Sequence, residues 1–469
     1  MYSLQPNLQP NLTNHQLQAA ERVLNTLQSH PNRKTTERMI VLSGYAGTGK
    51  TYVIQAISKL LVNAGYSIAA VTHTHKALSV LGADLPEDVE CMTIFQALGW
   101  RPCYKTGGII KNGARKIHGH DCIIVDEASM VDEAMYSSLV AATDEEQTPV
   151  LWVGDPAQLP PVGYQSSPVF NLVQQQARLE HIVRQEAENP IIAASMVLRE
   201  CLELEKCPSV EKFAGDWGDG RLTVVKAPYK GQNRTIAEYV ADARQYGLDA
   251  RAIAHRNNTV ADIATRITET LHPPGAPAYL EGDPVVFQAP LMKRAGFDRF
   301  SREIYEAVAN NGAEAVIASA ADAREENLKK EAGPLDIDCY SVNIEMLDGE
   351  VLKECMVPAN ELEYRKVLKY LQDKRAFSHK KEQECEETEM RIKYREDKTL
   401  AGALIEQAHA FYAHVRYSYA TTAHKSQGST YDVAVVHWDE IVRVLPLSDA
   451  VRMLYVACTR PRSYLVIVQ

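Results

Sequence analysis

No apolar run in these 469 residues approaches the ~18 needed to cross a membrane. The opening MYSLQPNLQPNLTNHQ lacks the basic stretch and apolar core of a secretory leader. The expectation is a cytoplasmic protein with no membrane partner. The nine cysteines, at positions 91, 103, 122, 201, 207, 339, 355, 385 and 458, form no C-x-x-C pair and no His/Cys cluster at zinc spacing. They read as reduced thiols, with neither a disulfide framework nor a zinc site. An excess of positive charge is missing too: 50 Lys and Arg stand against 60 Asp and Glu, a net −10. No long-range field draws nucleic acid to the whole molecule, so any polyanion site must be a local groove. The only low-complexity stretch of note is the short repeat QPNLQPNL.

What is present is ordinary globular material, 45% apolar and 23% charged, in a chain long enough for two to four domains. Short β-rich runs at Met39–Leu42, Ile68–Val71, Cys122–Val125 and Val150–Val153 are separated by helical patterns such as Val53–Ala64. That rhythm predicts an α/β fold, a parallel sheet covered by helices on both faces. It returns at Leu222–Val225, Arg251–Ala254, Val433–Val436 and Leu465–Val468, predicting a second α/β domain completed by the last residues. The organisation is therefore 1–179, a first α/β domain; 180–281 and 413–469, the two parts of a second; and 282–412, an insertion. The insertion begins with β-like stretches and turn signals at Glu281–Pro284, Asn310–Gly312 and Leu347–Gly349, which predict a small β-barrel. Glu361–Lys398 then carries eleven Lys/Arg and ten Asp/Glu on a helical pattern, the signature of a solvated, projecting helical hairpin.

Chemistry enters at Gly44-Tyr-Ala-Gly-Thr-Gly49-Lys50-Thr51, which matches G-x-x-x-x-G-K-[ST] between an apolar strand and an amphipathic helix. Backbone N–H groups over Gly44, Ala46, Gly47, Thr48 and Gly49 can cradle a triphosphate at the helix N-terminus. Lys50 reaches the β- and γ-phosphates, and Thr51 holds Mg²⁺. A second apolar strand ends in Asp126-Glu127, where open α/β sheets place their ligands. Asp126 is the second Mg²⁺ candidate, and Glu127 is the candidate to orient and deprotonate the attacking water. The cofactors expected are ATP and Mg²⁺. A third strand leads into Gly154-Asp155-Pro-Ala-Gln158-Leu-Pro-Pro, with Gln158 placed to sense the γ-phosphate.

With these segments, and with Val71-Thr-His-Thr-His-Lys76, Glu180-His-Ile-Val-Arg184-Gln185, Ala420–Asp432 and Leu454-Tyr-Val-Ala-Cys-Thr-Arg460, the sequence resembles superfamily 1 helicases over nearly its whole length. Within them it resembles the 5′→3′ branch, the Dda-like and RecD-like helicases. The resemblance implies two RecA-like domains, a β-hairpin insert at about 99–118 in the first, and an SH3-like β-barrel with a helical tower in the second. It implies that Gln16 reads the adenine edge, that Gly428 borders the nucleotide, and that Arg184 and Arg460 grip γ-phosphate oxygens as arginine fingers. An ordinary helix start at Gln16 and interdomain salt bridges at the two arginines are the alternative readings.

The resemblance further implies single-stranded DNA contacts by Thr72, Thr74, His75 and Lys76 in the first domain, and by Thr422, His424 and Lys425 in the second. These side chains suit phosphate contacts that hold a strand without reading its bases. Trp100 and Tyr104 flank a Lys-Thr-Gly-Gly turn where such helicases carry a strand-separating pin, and a stacked aromatic there would be a wedge. A surface loop with a packed tryptophan is the other reading. The implied activity is ATP-dependent 5′→3′ DNA unwinding in replication, recombination or repair, in a bacterial cell or phage-infected host. The implied partners are single-stranded and forked duplex DNA, with a single-strand-binding protein or replisome component. An RNA helicase, or a translocase that displaces bound proteins without opening duplexes, would use the same motifs.

Overall fold

The computed structural model describes residues 12–28, 34–103, 108–111, 113–181, 189–206, 208–213, 221–297, 303–319, 334–347 and 349–469, with the backbone alone at 75–76, 79, 101–103, 108, 295, 297 and 303–306. The chain forms two compact units: Met1–Trp100 with Lys111–Leu271 and Tyr419–Gln469, and Arg101–Ile110 with His272–Ser418.

In chain order the first strands are β1 (Met39–Gly44), β2 (Ile68–Thr72), β3 (Glu90–Thr93), β4 (Arg101–Cys103), β5 (Gly108–Ile110), β6 (Cys122–Val125), β7 (Val150–Gly154) and β8 (Gln175–Leu179). Six of them make an all-parallel sheet in the order β3-β2-β6-β7-β1-β8. The apolar runs are continuous because both faces are covered. Ile40, Leu42, Ile124 and Val153 pack on one face with the helices Asn14–Leu27 and Lys50–Asn63, while Met39, Val41, Ile123 and Trp152 pack on the other with Glu133–Glu145. Each such buried side chain contributes about 1.5–3 kcal/mol.

Strands β9 (Leu222–Val225) and β10 (Ala250–Ala254) begin a second sheet. The chain then builds the second unit from β11 (Pro284–Phe287), β12 (Leu291–Phe297), β13 (Glu303–Ala309), β14 (Glu314–Ser319), β15 (Cys339–Met346), β16 (Val351–Pro358) and β17 (Val415–Tyr417). Five of these pair antiparallel in the order β16-β15-β14-β11-β17, and β12 pairs with β13. The helices Glu361–Glu384 and Thr388–Phe411 form the hairpin expected from the mixed charges, thirteen residues longer than Glu361–Lys398. Glu382 fastens it, accepting from Arg395 Nε at 2.8 Å and from Lys398, and Lys374 pairs with Asp397 at 3.3 Å. The insertion extends past the expected Tyr412, since β17 belongs to its sheet. Strands β18 (Ala420–Thr422), β19 (Tyr431–His437) and β20 (Pro461–Val468) then complete a second all-parallel sheet, β18-β10-β19-β20-β9.

The pin segment has its two arms, with Arg101 paired to Ile110 and Cys103 to Gly108. Its root is a close backbone crossing in which Gly113 N–H donates to Gly99 O at 2.9 Å. A Cβ on Gly99 would stand 2.3 Å from Gly113 O, so neither position has room for a side chain. Trp100 corrects the wedge expectation. It is only 8% exposed in the core beneath the first sheet, edge-on to Phe95 at 6.0 Å and covered by Lys111 Nζ at 4.1 Å, and its ring is not presented for stacking. Tyr104 lies outside the described residues.

Candidate active site

The phosphate loop runs from the end of β1 into the helix Lys50–Asn63, through left-handed Gly47 (φ 77°) and Gly49 (φ 81°). Gly44 is required by space, because a Cβ there would lie 2.6 Å from Thr48 Oγ1 and 2.9 Å from Leu179 Cβ. Thr48 is fully buried and its hydroxyl donates to Tyr45 O at 2.8 Å. Lys50 Nζ folds onto the loop, donating to Gly44 O at 2.7 Å and Tyr45 O at 3.1 Å. Thr51 is exposed in the first helical turn. Gln16 is buried, with both ends of its amide engaged: Oε1 accepts Thr13 N–H at 3.1 Å, and Nε2 donates to Thr48 O at 3.2 Å. It starts the helix Asn14–Leu27 through a capping box and ties that helix to the phosphate loop.

Asp126 and Glu127 follow β6. Asp126 N–H donates to Val71 O at 2.9 Å, and its Oδ1 accepts Glu127 N–H at 2.8 Å. Glu127 takes a left-handed backbone (φ 55°), a conformation that costs a non-glycine residue roughly 1–3 kcal/mol and persists where surroundings over-determine it. Burial pushes both carboxyls up. Glu127 reaches about 7, raised further by Asp126 and Asp155 and opposed by Arg460 and Lys50, while the Glu127 amide and Lys50 oppose the rise at Asp126. A carboxyl near 7 is poised as a proton acceptor. Two adjacent carboxyls that burial penalises, opposed by the Glu127 amide, Lys50 and Arg460, have the donor chemistry for a divalent cation at Asp126.

Groups from the second α/β half stand at the same place. Arg460 is buried and held by its own half: Nε donates to Val456 O at 2.9 Å, Nη1 to Ser429 O at 3.2 Å and Nη2 to Thr459 Oγ1 at 3.0 Å. A Cβ on Gly428 would lie 3.7 Å from Glu127 Oε1 and 3.8 Å from Thr74 Oγ1. Gln158, after β7, is buried. Gln427 Nε2 donates to its Oε1 at 3.4 Å and to Leu159 O at 2.9 Å. Arg184 lies outside the described residues.

Sequence reasoning missed four groups here: Asp155, Gln427, Arg452 and Tyr455. Arg452 Nη1 donates to Pro156 O at 2.6 Å and Gln158 O at 3.1 Å. Tyr455 Oη accepts Ala46 N–H at 3.0 Å and donates to Asp155 Oδ2 at 2.5 Å. Asp155, Gln427 and Tyr455 all lie inside the motif segments, and a polar residue amid an apolar stretch was the available signal. It also missed Arg199, whose guanidinium lies 3.1 Å from the centre of the Tyr45 ring.

Of the strand-contact candidates, Thr72 is buried and donates to Thr74 O at 2.9 Å, and Thr74 caps the helix His75–Asp84 by accepting Ala77 N–H at 3.1 Å. The side chains of His75 and Lys76 lie outside the described residues. Thr422 accepts Lys425 N–H at 3.3 Å, and Lys425 is exposed. Burial and the neighbouring His255 push the His424 imidazole down, so near neutral pH it offers a hydrogen bond rather than a charge.

Residues 11–204 match the model of an AAA domain, and residues 417–468 match that of a UvrD-like helicase C-terminal domain, together just over half of the chain. Over 211 residues the chain is 32% identical to the ATP-dependent RecD2 DNA helicase of Deinococcus radiodurans, covering 44% of this chain and 26% of the relative. The chain thus spans about a quarter of that relative's length. Solved structures of Pif1 helicases resemble it more distantly: one from Bacteroides, in complex with ADP-AlF3 and ssDNA, at TM-score 0.48 and 15% identity over 98% of this chain and 92% of that one, and one from Candida albicans at TM-score 0.45 and 14% identity over 98% and 95%. In these matched segments the chain is similar to RecD-like helicases of superfamily 1. Among the described residues no helix is long and apolar enough to cross a membrane.

Proposed function

We propose that this protein is an ATP-dependent DNA helicase that moves 5′→3′ along single-stranded DNA and opens duplexes, with the Dda-like arrangement of an SH3-like barrel and helical tower inserted in its second RecA-like domain. The observation that carries the reading is the convergence of Lys50, Asp126, Glu127 and Gln158 from one sheet with Arg460, Gln427 and Gly428 from the other. An NTP-dependent machine needs both halves at the γ-phosphate, so that hydrolysis changes how they meet.

In this reading Lys50 leaves the carbonyls of Gly44 and Tyr45 for the β- and γ-phosphates. Bound Mg²⁺ supplies charge neutralisation on the phosphate oxygens, held by Thr51 and Asp126. Glu127 takes the proton of the attacking water, Gln158 orients that water, and Arg460 and Arg184 stabilise charge on the transferred group. The remaining strand-contact candidates, Thr72, Thr74, His75, Lys76, Thr422, His424 and Lys425, form two phosphate grips, one in each half, that hydrolysis moves relative to each other. Tyr104 remains the candidate pin aromatic. Forked DNA and a single-strand-binding or replisome protein are the proposed partners, in replication, recombination or repair.

The test is unwinding of matched duplexes with a 5′ or a 3′ single-stranded tail, with ATP and Mg²⁺ and Glu127→Gln as control. Opening of the 5′-tailed substrate alone is expected. Opening of the 3′-tailed one alone overturns the polarity, and DNA-stimulated ATPase without opening of either replaces the helicase by a translocase.

A further inference from the structure

We propose that Tyr455 is a positioning residue of the ATPase, whose hydroxyl clamps the phosphate loop to the Asp155–Gln158 loop and so sets where Gln158 stands. The inference rests on the ATP-hydrolysis reading above. One hydroxyl makes both bonds, accepting Ala46 N–H at 3.0 Å and donating to Asp155 Oδ2 at 2.5 Å. The other oxygen of Asp155 accepts Ala157 N–H at 2.9 Å, and Gln158 N–H closes the turn onto Asp155 O at 3.1 Å. A shift of either loop therefore breaks a bond at Tyr455. The tyrosine is 1% exposed and Asp155 fully buried, so water does not substitute for a lost partner. Two more side chains from the same half hold the loop: Arg452 on Pro156 O and Gln158 O, and Gln427 on Leu159 O and Gln158 Oε1. Ala157 and Leu159 also lie in one apolar cluster with Leu454 and Tyr455. The loop that delivers Gln158 belongs to the first sheet by chain and to the second half by its contacts.

Tyr455→Phe keeps the ring in that cluster and removes only the hydroxyl, leaving Ala46 N–H and Asp155 Oδ2 each short of a partner. The full chain, with Mg²⁺ and oligo(dT), is titrated with a fluorescent ADP alone and then with aluminium fluoride, which completes a mimic of the transferring phosphoryl group. ADP affinity should stay within about twofold, while affinity for the aluminium fluoride complex and kcat each fall by about tenfold. Asp155→Asn should give the same pattern, and the double variant should be no worse than the weaker single one. A structural defect alone would lower the bound fraction of both ligands without separating their affinities. Equal weakening of both ligands, additive losses, or no loss in either single variant overturns the proposal. A wild-type protein without ATP turnover overturns the underlying reading as well, whereas an active wild type with an unaltered Tyr455→Phe variant overturns the clamp alone.

Discussion

Both parallel sheets send a central strand into a helix N-terminus, and the two junctions are filled differently. After β1 the glycine-rich loop leads into its helix with Lys50 Nζ on the carbonyls of Gly44 and Tyr45, and no carboxylate accepts from Lys50 among the described residues. After β10 the corresponding amides are already taken: Glu440 accepts His255 N–H at 2.8 Å and Arg256 N–H at 3.4 Å, and also binds the Thr259 hydroxyl. A helix N-terminus attracts an anion in either place. In the first half the anion must come from outside; in the second the chain provides it. In the proposed function the first half is therefore the binding site. The other is a frame that lends Gln427, Arg452 and Tyr455 to the loops of its neighbour and sets Arg460 near Glu127.

That contrast breaks first at the chemistry. Lys50→Ala should reduce ATP turnover by at least ~10²–10³-fold, and Arg460→Ala by about 10³-fold. The two should differ in binding: the lysine variant loses ADP affinity in a fluorescence titration, and the arginine variant keeps it. Equal loss of ADP affinity in both would mean that Arg460 belongs to the binding site and not to the frame.

The pH profile sharpens the contrast next. Glu127 must be ionised to accept a proton, and its carboxyl sits at about 7, so kcat should rise with pH through an acid limb near 7, about tenfold per unit below it. The stability sign runs the other way. A carboxyl raised above its unfolded value binds a proton more tightly when folded, so Glu127 costs the fold stability above pH 7 and the cost fades as pH falls towards 4.5. Asp155→Asn removes one neighbour that raises Glu127 and should move the acid limb down.

Smaller effects address the frame. Trp100→Ala should cost about 3–5 kcal/mol in denaturant melts, as a core tryptophan does, with unwinding per ATP unchanged in the folded fraction. A wedge would show the reverse. Glu440→Ala should cost about 1.5–3 kcal/mol, since its bonds to two amides and a hydroxyl are charge-assisted, while the KM for ATP moves by less than about twofold.

The central strands were legible because burial on both faces leaves continuous runs such as Cys122–Val125, and the phosphate loop because its spacing is dictated by a ligand. Strand β8 was not legible. Gln175-Gln-Ala-Arg-Leu179 lies at the sheet edge, only Ala177 and Leu179 are buried, and the apolar run never forms. Trp100 stayed open between a wedge and a packed side chain because an aromatic beside a turn reads alike whether it points outward or packs inward. The clamp on Asp155–Gln158 was hidden for another reason: Tyr455 and Asp155 are 300 positions apart, and no local pattern encodes a partner at that distance.

The crossing of Gly99 and Gly113 carries a consequence for how this molecule can be altered. The β4–β5 ribbon is flanked in the chain by a backbone-to-backbone crossing of two glycines, with no side chain at either. Among the described residues between the glycines, Trp100 is anchored in the first core, while the paired β4 and β5 group with the other compact unit. A methyl group added at either glycine should therefore push the two backbone segments apart, since a Cβ there meets main-chain atoms and no flexible side chain that could give way.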